Sequence, residues 1–115
     1  MKYLLMIYQN ESAAAAATKA QQEQMHGAYM AYTDALVKAG VIVGGDRLHP
    51  SSAATTVRVA NGSKKVLNGP YAETKEQLAG YYMIDVPDLD AALAWAARCP
   101  GASGGVMEVR PVWAM

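Results

Sequence analysis

This sequence has no pair of cysteines, no excess of either charge and no long apolar run, and each absence narrows what the protein can be. Cys99 is the only cysteine. No intrachain disulfide can form, so stability must come from packing, which suits a reducing cytoplasm. Ten Lys and Arg balance ten Asp and Glu, and no basic stripe is visible. Binding to nucleic acid or to an anionic membrane needs a concentrated positive field, so neither partner is expected. The opening MKYLLMIYQN is far short of the ~20 apolar residues of a membrane span. It also lacks the cleavage site that follows the ~7–15 apolar residues of a secretory signal. It reads as the first strand of a soluble protein. His26 and His49 have no second ligand at a metal-binding spacing, so no metal is expected. The serines lack the setting of a nucleophile elbow, and the paired glycines form no phosphate-binding loop. No cofactor is expected.

What is present fits one domain over residues 1–115, with 52% hydrophobic residues and one sizeable core. Residues 3–8 are apolar on both alternating faces, as in a central strand covered on both sides. The alanine run that follows reads as a loop or frayed lead-in, with Thr18 capping the next helix. Over 18–39, Met25, Ala28, Tyr29, Tyr32, Leu36 and Ala39 fall on one helical stripe. Gly40 is placed to end that helix. Residues 41–43 form a strand, and Gly44-Gly45 leaves it. Residues 55–59 and 64–67 flank Asn61-Gly62, a strong hairpin signal. A strand over 80–86 leads to Asp88, which can cap a helix with Leu89, Ala92, Leu93 and Ala96 inward. Pro100-Gly101 ends it, GASGG is a flexible connection, and 106–112 is the last strand.

That order is a ferredoxin-like β-α-β-β-α-β plan with an inserted β-hairpin, an α+β fold whose two helices cover one sheet face. The other face mixes large apolar groups with Asp85, Glu108 and Arg110. Such a face on a small domain is usually buried by a partner. The expectation is a homodimer with two sheets packed face to face.

The chemical candidates are few. Cys99 sits at a helix C-terminus, where the dipole disfavours a thiolate, and reads as a packing residue. Tyr29 and Tyr32 lie on the core stripe, and their hydroxyls need partners if buried. Asp46-Arg47 follows a strand end, where loops often contact ligands. The run NGPYAETKE at 68–76 combines a turn, an aromatic anchor in Tyr71, and opposed charges in Glu73, Lys75 and Glu76. It reads as an ion-paired edge or as part of a ligand site.

That run, with the QLAGYYMIDVPDLDAALAWAARCP that follows it, resembles the signature region of the YCII-related family, and more closely its DGPF (DGPFAETKE) branch. MKYLLMIYQN, LVKAGVIVGGDRLHP, TTVRV and GGVMEVRPV are similar to that branch as well. The resemblance implies a dimeric α+β barrel. It implies no single activity: the wider family includes a dehydrochlorinase of a chlorinated hydroxyquinol and carries a His–Asp pair proposed as catalytic. Some members of the branch accompany extracytoplasmic-function sigma factors. By position, the family histidine falls on Tyr29 and the aspartate on Cys99. Asn68 and Tyr71 also stand where the branch has Asp and Phe.

The sequence therefore predicts a small dimeric cytoplasmic protein that binds a small molecule or acts as an accessory, without that catalytic pair. Its ligand would lie between the long helix and the sheet, or between two sheets, near Tyr29, Asp46, Arg58, Tyr71, Glu73 and Lys75. One alternative is a lyase, dehydrochlorinase-like or isomerase enzyme acting on an aromatic or quinone-like molecule. Tyr29 would be its acid, and Asp46 or Glu73 its base. The other alternative is a signalling partner of a sigma factor.

Overall fold

A computed structural model describes residues 1–114. The chain is a mixed α+β protein built on one four-stranded antiparallel sheet. Its elements in order are β1 (Lys2–Asn10), α1 (Glu11–Ala15), α2 (Lys19–Lys38), β2 (Ile42–Arg47), a 3-10 turn (Ser51–Ala53), β3 (Thr55–Ala60), β4 (Ser63–Asn68), β5 (Glu76–Asp85), α3 (Leu89–Arg98), α4 (Pro100–Gly104) and β6 (Val106–Pro111). The sheet order is β2-β5-β1-β6, while β3 and β4 form a separate two-stranded ribbon. No helix is long and apolar enough to cross a membrane.

β1 is central because its alternating side chains can be covered from both sides. Tyr3, Leu5 and Ile7 are buried beneath the helices. Leu4, Met6 and Tyr8 point the other way and are only half-buried. Register extends this division across the sheet. Leu5 lies opposite Tyr82 and Val109, whereas Met6 lies opposite Tyr81 and Glu108. Tyr82, Ile84, Val86, Met107 and Val109 join the core, as their alternation predicts. Leu5, Leu36 and Ile84 are completely buried and mark its centre. Tyr32 closes the helix layer: its hydroxyl donates to the Trp95 carbonyl at 2.7 Å, and its ring meets Tyr82 edge-on at 5.3 Å.

Several local expectations hold. Thr18 caps α2 in a full capping box with Gln21, and Gly40 ends the helix with φ of 71°. Asp88 caps α3 by accepting from the Ala91 N–H. Asn61 and Gly62 both adopt positive φ, as a tight hairpin turn requires.

Others need correction. The alanine run is not a loop but begins as α1, because Asn10 accepts from the Ala13 N–H and caps it. Gly44-Gly45 does not end β2, so Asp46 and Arg47 belong to a strand rather than a loop. A Cβ at Gly45 would stand 2.7 Å from the Tyr81 carbonyl, so glycine lets β2 approach β5. GASGG is mostly helical, because Pro100 with its fixed φ opens α4. On α2, only Tyr32 and Leu36 are buried. Met25, Ala28 and Ala39 are exposed, since 20 residues make a rod of ~30 Å and only part of it lies over the core.

Cutting Leu36 to Ala should cost about 2–5 kcal/mol in urea unfolding, the usual range for a fully buried leucine. Leu93→Ala, at a residue 46% exposed on α3, should cost less than about 1 kcal/mol. Equal losses would contradict this core.

Candidate functional site

In the segment at 68–76, Asn68 ends β4 and the chain is then a loop until Glu76 begins β5. Its backbone is held at both ends. At the hairpin side, the Gly69 N–H donates to the Ala54 carbonyl at 2.7 Å, and the Thr56 hydroxyl donates to the Gly69 carbonyl at 2.8 Å. At the β5 side, the Gln77 amide donates to the carbonyls of Ala72 and Thr74 at 3.0 and 3.1 Å. A side-chain amide thus satisfies backbone that no strand pairs.

Facing this loop is a wall from distant sequence. The Ser51 N–H donates to the Glu11 carboxylate at 2.6 Å, and the Ser51 hydroxyl donates to its other oxygen. That tie fastens the start of α1 to the 3-10 turn. Between the walls is an open cleft of about 590 Å³, lined by Asn10, Glu11, Ser51, Asn68, Glu73 and Lys75 among others. Hydroxyls, amides and charges of both signs reach it. Among the described residues, neither Glu73 nor Lys75 is in an ion pair, so the expected ion-paired edge is absent. Both charged groups remain available to a ligand. Tyr71 is no core anchor either. It is 77% exposed, and Arg58 lies over its ring at 5.3 Å.

Tyr29 lies elsewhere, packed against the core between α2 and the sheet. The Cys99 thiol lies beside its hydroxyl. Burial raises the Tyr29 pKa above its ordinary value, and Cys99 and Tyr82 add to the rise, while Arg47 opposes it. Burial likewise raises the Cys99 thiol, although bonds from the Gly101 backbone and from Tyr29 pull it back. The pair is neutral at neutral pH. Space is tight there: a Cβ on Gly101 would stand 2.7 Å from Ile7 and 2.8 Å from the Tyr29 hydroxyl. The Tyr82 and Thr33 hydroxyls, 2.7 Å apart, extend this polar strip.

Asp46 is on the opposite face of the sheet. It accepts from the Tyr81 hydroxyl at 2.7 Å, and this bond raises the Tyr81 pKa. The structure therefore groups Glu73 with Lys75, Arg58 with Tyr71, and Tyr29 with Cys99, but it separates Tyr29 from Asp46. Glu11 and Ser51 escape sequence reasoning, because a tie across 40 residues leaves no local pattern. Residues 101–105 spell Gly-x-Ser-x-Gly around Ser103. However, Ser103 lies in α4 and its hydroxyl donates to the Pro100 carbonyl at 3.2 Å. The strained strand-to-helix turn of a nucleophile elbow is missing.

A family model described as the YCII-related domain matches residues 1–115. An uncharacterised protein of Rhizobium meliloti (strain 1021) is 40% identical over 114 residues, which is 97% of this chain and 92% of that protein.

The Glu11 tie makes the cleft acid-sensitive. Bonds from the Ser51 hydroxyl and then its backbone N–H lower the Glu11 pKa below 4.5. A lowered folded value means that the stabilisation is present above pH 4.5 and is lost as pH falls through the folded pKa. In an NMR titration, the Ser51 amide resonance should move with an inflection below pH 4.5, and Glu11→Gln should abolish that inflection. A Ser51 amide that is insensitive to pH in the parent protein would remove the tie from the structure.

Proposed function

The chain belongs to the YCII-related family, and we propose that it is a small-molecule-binding or accessory protein rather than an acid–base catalyst. The observation that carries this reading is the cleft at 68–76. There the signature loop, the Glu11–Ser51 tie and the base of the hairpin converge on a polar recess of about 590 Å³. That volume is within the usual ~300–1,000 Å³ of ligand sites. Its lining favours a polar molecule that both donates and accepts hydrogen bonds, with Glu73 and Lys75 as opposed charged contacts.

The neutral Tyr29–Cys99 pair supports the same reading. These are the positions at which the resemblance sets a His–Asp pair. A tyrosine and a thiol with raised pKa values keep the proximity and lose the proton exchange near neutral pH. Asp46, the other candidate base, is across the sheet from Tyr29 and cannot accept its proton directly.

We assign the chain to the DGPF branch on the strength of NGPYAETKE. With the ribbon set aside, the β2-β5-β1-β6 order agrees with a ferredoxin-like plan. A homodimer through the open sheet face is the arrangement that would bury Leu4, Met6, Tyr8, Tyr81 and Met83 together. The buried lone Cys99 is suited to a cytoplasmic setting.

The test is chemical-shift mapping of isotope-labelled protein against a panel of polar metabolites. Binding should perturb the amides of Ser51, Gly69 and Lys75 together, and Lys75→Met or Glu73→Gln should weaken it about tenfold, the cost of a charged hydrogen bond. Perturbations confined to Tyr29 and Cys99 would overturn this location.

A further inference from the structure

We propose that the cleft at 68–76 takes a free α-amino acid with a cationic side chain, its carboxylate toward Lys75 and its two cationic groups toward Glu73 and Glu11. This rests on the cleft being the ligand site and adds to it the class of ligand.

What the lining lacks sets aside the other classes. Among the described residues, no aromatic side chain lines the cleft, so a nucleobase, a quinone or a sugar ring has no platform to stack on. Pro70 brings the only wholly hydrocarbon side chain, so an apolar molecule would bury little surface there. A phosphorylated or dicarboxylate ligand meets the wrong field. Lys75 is the one cation of the lining, against the carboxylates of Glu11 and Glu73, and like charges brought into one recess repel.

The hydrogen-bonding groups point the same way. Many donors around the cleft are already spent inside the protein. Ser51 gives both its backbone N–H and its hydroxyl to Glu11, and the Gly69 N–H goes to the Ala54 carbonyl. The Thr74 hydroxyl donates to the Glu76 carbonyl. The Gln77 amide donates to Ala72 and Thr74, which leaves its carbonyl oxygen to face a ligand. Acceptors are spent far less. Among the described residues neither Glu11 nor Glu73 has a cation. A carboxylate offers about four lone-pair positions, and Ser51 occupies only part of those on Glu11. The Ser51 bonds also hold the Glu11 pKa below 4.5, so that group keeps its charge at neutral pH. A recess rich in acceptors suits a ligand rich in donors, and ammonium and guanidinium groups are donors only. The Asn10 and Asn68 amides both donate and accept, and fit either end of such a molecule.

The placement of the charges selects among donor-rich ligands. Glu73 and Lys75 belong to the same short loop, whereas Glu11 is on the wall that follows β1. An α-amino acid carries its ammonium and its carboxylate on the same carbon, which matches the neighbouring Glu73 and Lys75. A cation at the end of its side chain then reaches the far wall at Glu11. A plain diamine offers nothing to Lys75, and an amino acid with an apolar side chain offers nothing to Glu11.

Titration of 15N-labelled protein at low ionic strength with L-lysine, L-arginine, L-norleucine and 1,5-diaminopentane tests the class. Lysine or arginine should shift the amides of Ser51, Gly69 and Lys75. Norleucine lacks only the side-chain ammonium of lysine, and diaminopentane lacks only its carboxylate. Each should bind at least about threefold more weakly than lysine, within the range of an exposed ion pair. Glu11→Gln should bring lysine down to the affinity of norleucine and leave norleucine unchanged, whereas a merely distorted cleft would weaken both. Norleucine or diaminopentane binding as tightly as lysine would overturn the class and leave the cleft as the site of another polar molecule. Cleft amides that respond to other polar metabolites but to none of these four would do the same. Cleft amides that respond to nothing would overturn the class and the location together.

Discussion

The structure depends on β1 having something to pack against on both sides. It is paired with β5 on one edge and β6 on the other, so every side chain it carries faces either the helices or the open sheet surface. The helix side is satisfied within the protomer: Leu5 beneath Leu36 and beside Ile84 forms a centre with no exposed atom. Positions of the helices follow from that centre. Tyr32 and Leu36 fix α2, and Ala92 and Ala96 bring α3 close because small side chains admit a helix near the sheet. The other side of β1 is left half-covered. Much of what distinguishes this chain is a response to that asymmetry.

The two faces of the sheet could be read from the sequence because they depend on short-range periodicity. Tyr82, Ile84 and Val86 alternate with Tyr81, Met83 and Asp85, and that pattern alone assigns the two faces. Asn61-Gly62 fixes the hairpin because only a few residue types tolerate positive φ. The misses share a different cause. A cap such as Asn10 acts through one side-chain oxygen and converts a featureless alanine run into a helix. The short helix after Pro100 has too few residues to display a period. Gly44-Gly45 looks like a break in isolation, and only the closeness of Tyr81 across the ladder shows it as a strand built for tight pairing.

The site was the least legible part. Lys75 and Glu73 stand out as charged residues in a dense motif, yet whether they pair with each other depends on a loop conformation set by Gln77 and Gly69. The opposite wall comes from Glu11 and Ser51, which belong to a low-complexity run and a proline-led turn and have no pattern in common. Conversely, Tyr29 and Cys99 are 70 positions apart and lie side by side at the core. Position by resemblance put the two residues in corresponding roles, and the fold brings them together, but burial has changed what they can do. Burial of the Cys99 thiol and partial burial of the Tyr29 hydroxyl favour the neutral form of each.

The cleft and the ribbon are not independent parts. Asn68 ends β4 and also lines the cleft, and Gly69 is bonded to Ala54 just before β3 and to Thr56 within it. The base of the ribbon is therefore one wall of the recess. Rotating the ribbon would carry Gly69 with it, because both of its backbone groups are tied to ribbon residues rather than to the sheet. The far wall is anchored differently: Glu11 follows β1 directly, so it moves with the sheet. The width of the cleft is thus the distance between an element fixed to the core and one fixed to an exposed arm. Anything that holds the arm in place also sets the shape of the site, and a ligand bridging Glu11 or Ser51 to Lys75 would in turn limit where the arm can point. The second wall of the cleft is held at the ribbon end by the Gly69 N–H on Ala54 and the Thr56 hydroxyl on Gly69, and at the β5 end by Gln77 on Ala72 and Thr74.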